Sequence, residues 1–178
     1  MTAQQKNELP YAEIPPSPDS YTAGGVVSRM IDGLGFRYYW ATEGLRSEDL
    51  IYKPSPEART SEETIDHILG LSYVVLNSAL QRVNEPREEE TLTFDQKRAR
   101  TLENLEQASH IFRSVRELGD YPVVFKGKES NMEYPFWNQI NGPISDAIWH
   151  CGQLVSFRRG SGNPFNSKVS VFSGKLRD

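Results

Sequence analysis

SDAIWHCGQLVSFRRGSG, Ser145 to Gly162, decides how this chain is read. Ile148, Leu154 and Phe157 are spread through it without strand-like alternation, Arg158 and Arg159 close it, and Gly160 and Gly162 follow. That is a helix with its C-terminal charges and glycine stop. Within it stand Asp146 and His150, four residues apart, with Gln153 continuing the row. Side chains at i and i+4 stack on one helix face, so an acid and an imidazole point at one spot. Just upstream, Asn141-Gly142-Pro143 reads as the start of this helix. Asn141 or Gly142 caps it, and Pro143 sits in the first turn, where a missing donor costs little. FWNQI, Phe136 to Ile140, reads as a short helical turn before that start.

Working toward the N-terminus, three further long helices are expected. The first begins near Ser20 or Thr22 and ends near Gly44, with Val27, Met30, Ile31, Leu34, Tyr38 and Ala41 at three- and four-residue steps. Gly24, Gly25, Gly33 and Gly35 lower its propensity, so it is expected to approach a neighbour closely. The second opens on a capping box, Thr60 with Glu63, and its apolar series runs from Ile65 to Val83, ending near Asn84. The third opens on a second box, Thr93 with Gln96, and runs to about Gly119 on a stripe of Leu102, Leu105, Ala108, Phe112 and Val115. The acidic run Glu88-Glu89-Glu90 belongs to the linker between them. Tyr121 to Glu133 reads either as a short strand pair or as an irregular excursion.

The expected architecture is therefore all-α, a four-helix bundle over residues 20–165. An extended arm, residues 1–19, precedes it, because Pro10, Pro15, Pro16 and Pro18 bar helix formation. Tyr11 and Ile14 can pin that arm to the body. A short C-terminal tail, residues 166–178, follows.

Composition narrows the function classes. A chain of 178 residues with net charge −4 and no basic stripe is not expected to bind nucleic acid. There is no apolar run of transmembrane length and no secretory h-region near Met1, so no membrane partner and a cytoplasmic location are expected. One cysteine, Cys151, allows no disulfide within the chain, and it reads as a small core residue. With it, three histidines cannot make a Cys2His2 finger. His110 falls in a charged stretch and reads as surface. Tyr38, Tyr39 and Trp40 read as core, and Trp137 and Trp149 as core or interface.

His67, in the second helix, lies on a face that turns apolar one turn later. One histidine from that helix and the Asp146–His150 pair from the last could converge as three ligands with open positions for water or substrate. The alternative is a hydrogen-bonded core histidine beside an Asp146–His150 contact along one helix. Gln153 stands either behind a ligand as its hydrogen-bond partner, on a pocket wall, or as simple polarity on a packed helix.

The segment FWNQINGPISDAIWHCGQLVSFRRGSGNPFN resembles the last helix of the DinB/YfiT-like superfamily, and SEETIDHILG resembles the start of that family's second helix. The layout is similar from about Tyr21 to Pro164. The resemblance implies a divalent-metal site, nickel or zinc, with the family's ligands falling on His67, Asp146 and His150. The commonest family pattern has histidine at all three positions. Asp146 makes this a two-histidine, one-aspartate set, which shifts preference toward harder ions such as manganese or iron(II). Family enzymes transfer or isomerise small molecules with thiols such as bacillithiol or mycothiol. The resemblance thus implies a metal-dependent enzyme activating a thiol or water against a small electrophilic substrate. The alternative is a non-catalytic dimeric bundle that binds a small molecule or a partner. A homodimer is expected on either reading.

Overall fold

A computed structural model describes residues 9–86 and 91–178. The first eight residues of the expected arm and the acidic run Glu88–Glu90 lie outside them. The chain is mostly helical, with two small antiparallel strand pairs. Among the described residues no helix is long and apolar enough to cross a membrane.

The long helices begin where their caps dictate. Helix α1, Ala23–Thr42, starts at Thr22, whose hydroxyl accepts from the Gly25 amide at 3.0 Å. A single turn, α2, spans Ser47–Leu50. Helix α3, Ser61–Ala79, starts on the expected box: Glu63 N–H donates to Thr60 Oγ1 at 3.1 Å, and Thr60 N–H donates to Glu63 Oε2 at 2.7 Å. Helix α4, Phe94–Arg113, repeats the device with Thr93 and Gln96 at 3.3 and 2.9 Å. Each box satisfies two amides that a helix start leaves unpaired.

Helix ends differ from the expectation. Helix α3 stops five residues before Asn84, because Asn84 is engaged elsewhere. Its N–H donates to Val124 O at 2.7 Å, and its own carbonyl accepts from Lys126 N–H at 2.9 Å. The chain turns into that pairing through Gln81, at φ 52°. Helix α4 likewise ends at Arg113 rather than near Gly119. The segment after it is a strand pair: β1, Val123–Phe125, lies antiparallel to β2, Met132–Tyr134, with Val124 opposite Glu133. A second pair, β3 (Val169–Ser170) with β4 (Lys175–Leu176), forms in the tail.

The start of the last helix also departs from the expectation. Neither Asn141 nor Gly142 caps it. Helix α5, Trp137–Gln139, runs through a π-helical turn, Ile140–Ile144, into α6, Ser145–Gly160. Pro143 has no N–H for the Gln139 carbonyl, and its ring crowds that oxygen, so the turn widens. Gly142 takes up the kink at φ −93°, ψ −109°. The Ser145 hydroxyl donates to the Ile140 carbonyl at 2.6 Å.

Helix α1 packs on α4 and α6, and α3 packs on the same two helices. Ile31, Leu34, Ile65, Ile68, Leu102, Leu105, Phe112 and Leu154 meet between them at or near zero exposure. Each such side chain contributes about 1.5–3 kcal/mol of burial. The close approach expected of the glycine-rich α1 is found at Gly24. A Cβ there would collide with the Phe112 and Val115 carbonyls at the end of α4. Tyr11 and Ile14 do pin the arm. The Tyr11 hydroxyl donates to buried Asp32 at 3.2 Å, its ring occupies the space left by Gly35, and Ile14 N–H donates to Gly174 O at 2.8 Å. Trp137 and Trp149 are not in the core; they are 74% and 71% exposed.

Candidate metal centre

His67 lies two turns inside α3, so the Thr60 box sets its phase around that helix. Asp146 begins α6 immediately after the π turn, and His150 and Gln153 follow at one-turn intervals. Packing of α3 on α6 then brings the three side chains together. His67 Nε2 lies 3.1 Å from Asp146 Oδ2, and His150 Nε2 lies 3.2 Å from Asp146 Oδ1. The two imidazoles meet edge to face, with ring centroids 4.6 Å apart at 86°. One ligand atom from each residue falls within a 4.8 Å group.

Donors on a tetrahedral ion with bonds of about 2.1 Å stand roughly 3.4 Å apart. The two His–Asp separations are close to that spacing but run to different oxygens of the Asp146 carboxylate. With one atom from each residue the group spans up to 4.8 Å, so the side chains would draw together around an ion. Asp146 and His67 are 37% and 32% exposed, while His150 is 13% exposed. Two of the three side chains therefore reach the surface, where water has access to them.

Gln153 supplies the most informative contact. Its Oε1 lies 2.7 Å from His150 Nδ1. With the amide oxygen, which can only accept, turned to the ring, Nδ1 carries the proton and donates. In a neutral ring, Nε2 is then a bare lone pair, and it faces a carboxylate oxygen. Two lone pairs at 3.2 Å repel unless a proton or a cation lies between them. A metal ion removes the conflict, and a histidine ligand held from behind by its other nitrogen is the usual arrangement. The residues present could thus hold a divalent ion: three ligand-type side chains converge, and one orientation of the Gln153 amide leaves His150 Nε2 free to bind.

The remaining expectations fall as follows. Cys151 is buried, and burial pushes its thiol up to about 12, which makes it inert as a nucleophile. Tyr38 is fully buried; Tyr39 and Trp40 are half-buried, and Arg98 lies over the Tyr39 ring at 4.6 Å. His110 is exposed. Arg158 is buried, where its guanidinium donates to the Trp40, Ala41 and Asn163 carbonyls and ties α6 to α1. The sequence reading missed Gln139, fully buried in α5 with neither amide atom paired among the described residues. It also missed the π turn that sets the azimuth of Asp146. The signal available for both was Pro143 four residues after Gln139, read there as an ordinary helix start.

Comparison of the chain with protein-family models, with curated proteins and with solved structures finds no match.

Proposed function

We propose that this chain is a DinB/YfiT-like four-helix bundle that holds a divalent metal ion on His67, Asp146 and His150 and acts on a small electrophilic substrate. The observation that carries the reading is the convergence of three ligand atoms within 4.8 Å, with His150 held from behind by Gln153. The mutual packing of α1, α3, α4 and α6 supports the bundle.

When bound, the ion supplies a Lewis acid that lowers the pKa of a thiol or water and so generates a nucleophile near neutral pH. His67 and His150 contribute neutral donors. Asp146 contributes one negative charge and a harder oxygen, which admits manganese or iron(II) beside nickel and zinc. Gln153 holds His150 in the tautomer whose Nε2 is free to bind. The exposed side of Asp146 and His67 leaves room for the nucleophile and its substrate.

The test is elemental analysis of protein purified without chelator and incubated with a metal mixture. One ion per chain, lost in His67→Ala, is expected; no stoichiometric ion would sink the reading.

A second reading rests on the same contacts. With the Gln153 amide turned over, its nitrogen donates to His150 Nδ1, and His150 Nε2–H donates to Asp146. The triad is then a self-satisfied polar knot in a non-catalytic bundle that binds a small molecule or a partner. Asp146→Ala separates the two. A knot loses melting temperature in chelator-treated protein, whereas a metal site loses only the gain that metal gives. A homodimer is proposed on either reading, with the exposed Trp137, Trp149 and Phe172 as the residues it would cover. A monomer mass in light scattering at micromolar concentration would remove that part.

A further inference from the structure

A cavity lies on the side of α6 away from His67, Asp146 and His150. At 100° per residue, Ile148, Gly152, Val155 and Arg159 share a helix face roughly half a turn from Asp146, His150 and Gln153. With Arg37 of α1 and Phe165 and Val171 of the C-terminal segment, that face bounds a cavity of about 340 Å3. Sites for small molecules span about 300–1,000 Å3.

The lining has two chemistries. Ile148, Val155, Phe165 and Val171 make it apolar, and Arg37 and Arg159 add two guanidinium groups. Arg46, Arg98 and Arg113 each meet a carboxylate, whereas Arg29, Arg158 and Arg177 meet carbonyl oxygens instead. Among the described residues, Arg37 and Arg159 meet no carboxylate. Arg37 is nevertheless held in place. Its Nη1 donates to Gly33 O at 2.8 Å, and the missing side chain at Gly33 leaves room for the guanidinium to lie back along α1. In a molecule of net charge −4, one held arginine, Arg37, and one exposed arginine, Arg159, beside apolar surface offer a local anion site.

Gly152 points the same way. It lies inside α6, where glycine costs about 1 kcal/mol relative to alanine. No neighbour demands it, because a Cβ there would meet nothing within 4 Å. Its effect is to keep the cavity wall bare.

We propose that this groove between α1 and α6 binds a small organic anion with an apolar body, of the class of medium-chain or aryl carboxylates. The head group pairs with Arg37 and Arg159, and the apolar part lies over Ile148, Gly152 and Val155. The proposal does not rest on the metal reading, since the two sites occupy different faces of α6.

The test is calorimetric titration of the full chain with decanoate below its micelle range, with decan-1-ol and acetate as separate arms. Saturable one-to-one binding of decanoate is expected, at least tenfold tighter than either control. The Arg37→Gln/Arg159→Gln double variant should weaken it by roughly tenfold or more. Gly152→Phe should abolish it while the protein stays folded, with a melting temperature no lower than the native chain's and its metal content unchanged. Decan-1-ol or acetate binding as tightly as decanoate would overturn the proposal, as would no saturable heat or an unchanged affinity in the folded Gly152→Phe protein. Heat that tracks dissociation of a dimer in light scattering would assign this face to a second copy of the chain, and would overturn it as well.

Discussion

Gln153 lies 2.7 Å from His150 Nδ1, which leaves Nε2 as the nitrogen that faces Asp146. Gln153→Leu is expected to weaken metal binding by about 10–100-fold, the usual effect of losing a ligand's supporting hydrogen bond. Competition with a chelating dye measures it, and unchanged affinity would assign Gln153 to packing alone. The convergence of His67, Asp146 and His150 was legible in the sequence. Helical spacing places Asp146 and His150 on one face, and the Thr60 box sets the phase of His67. Gln153 was legible only as the next residue in the row, because its tautomer-setting role depends on a rotamer that spacing cannot supply. Trp149 was misread for a related reason. Helix α6 carries ligands on one face, core residues on another and cavity-lining residues on a third, so no single apolar stripe marks its buried side.

Elements join through a second polar cluster. Asp49 of α2 is fully buried, and its carboxylate takes two guanidinium N–H bonds from Arg46 at 3.0 Å, with further bonds from Ser161 and from Asn163 at 2.7 Å. Arg46 first, and then Ser161 and Asn163, hold its carboxyl well below the usual carboxylate range against the opposing effect of burial. A depressed folded-state pKa gives stability that is fully present above the unfolded value of about 3.9 and is lost as pH falls below it. Melting temperature should therefore fall between pH 5 and pH 2 (rough bounds from that linkage) more steeply in the native chain than in Asp49→Asn. Parallel slopes in circular dichroism would refute this. The glycines give a second element-scale test. Gly35→Ala drives a methyl into the Tyr11 ring and should cost about 1–3 kcal/mol. Gly70→Ala meets nothing and should gain up to about 1 kcal/mol. Denaturant unfolding compares them, and equal effects would contradict the docking of the arm on α1. The starts of α1, α3 and α4 were legible because a cap is local, whereas that of α6 was not, because it continues from α5 through the π turn. The ends of α3 and α4 were not, since pairing of Asn84 with β1 is a contact across 40 residues.

At the scale of the whole molecule, the arm, the helices and the tail meet in ways the sequence only partly discloses. Tyr11 and Ile14 marked themselves as anchors, being apolar residues in a proline-rich stretch. That Ile14 would meet Gly174 depends on the tail folding into its own strand pair, and short alternating runs do not show where they dock. The helical majority followed from periodicity and capping, whereas the strands came from segments too short for either signal. The central claim is that α3 and α6 are joined through one ion. It is tested most directly by thermal melts of chelator-stripped protein with zinc, nickel, manganese or iron(II) added anaerobically, alongside His67→Ala. A saturating ion at about a hundred times its dissociation constant contributes about 2.7 kcal/mol. For a chain of 178 residues that is a rise of roughly 5–11 °C. The account predicts such a rise with at least one ion and none in the variant. No rise with any ion, or an equal rise in His67→Ala, would contradict it.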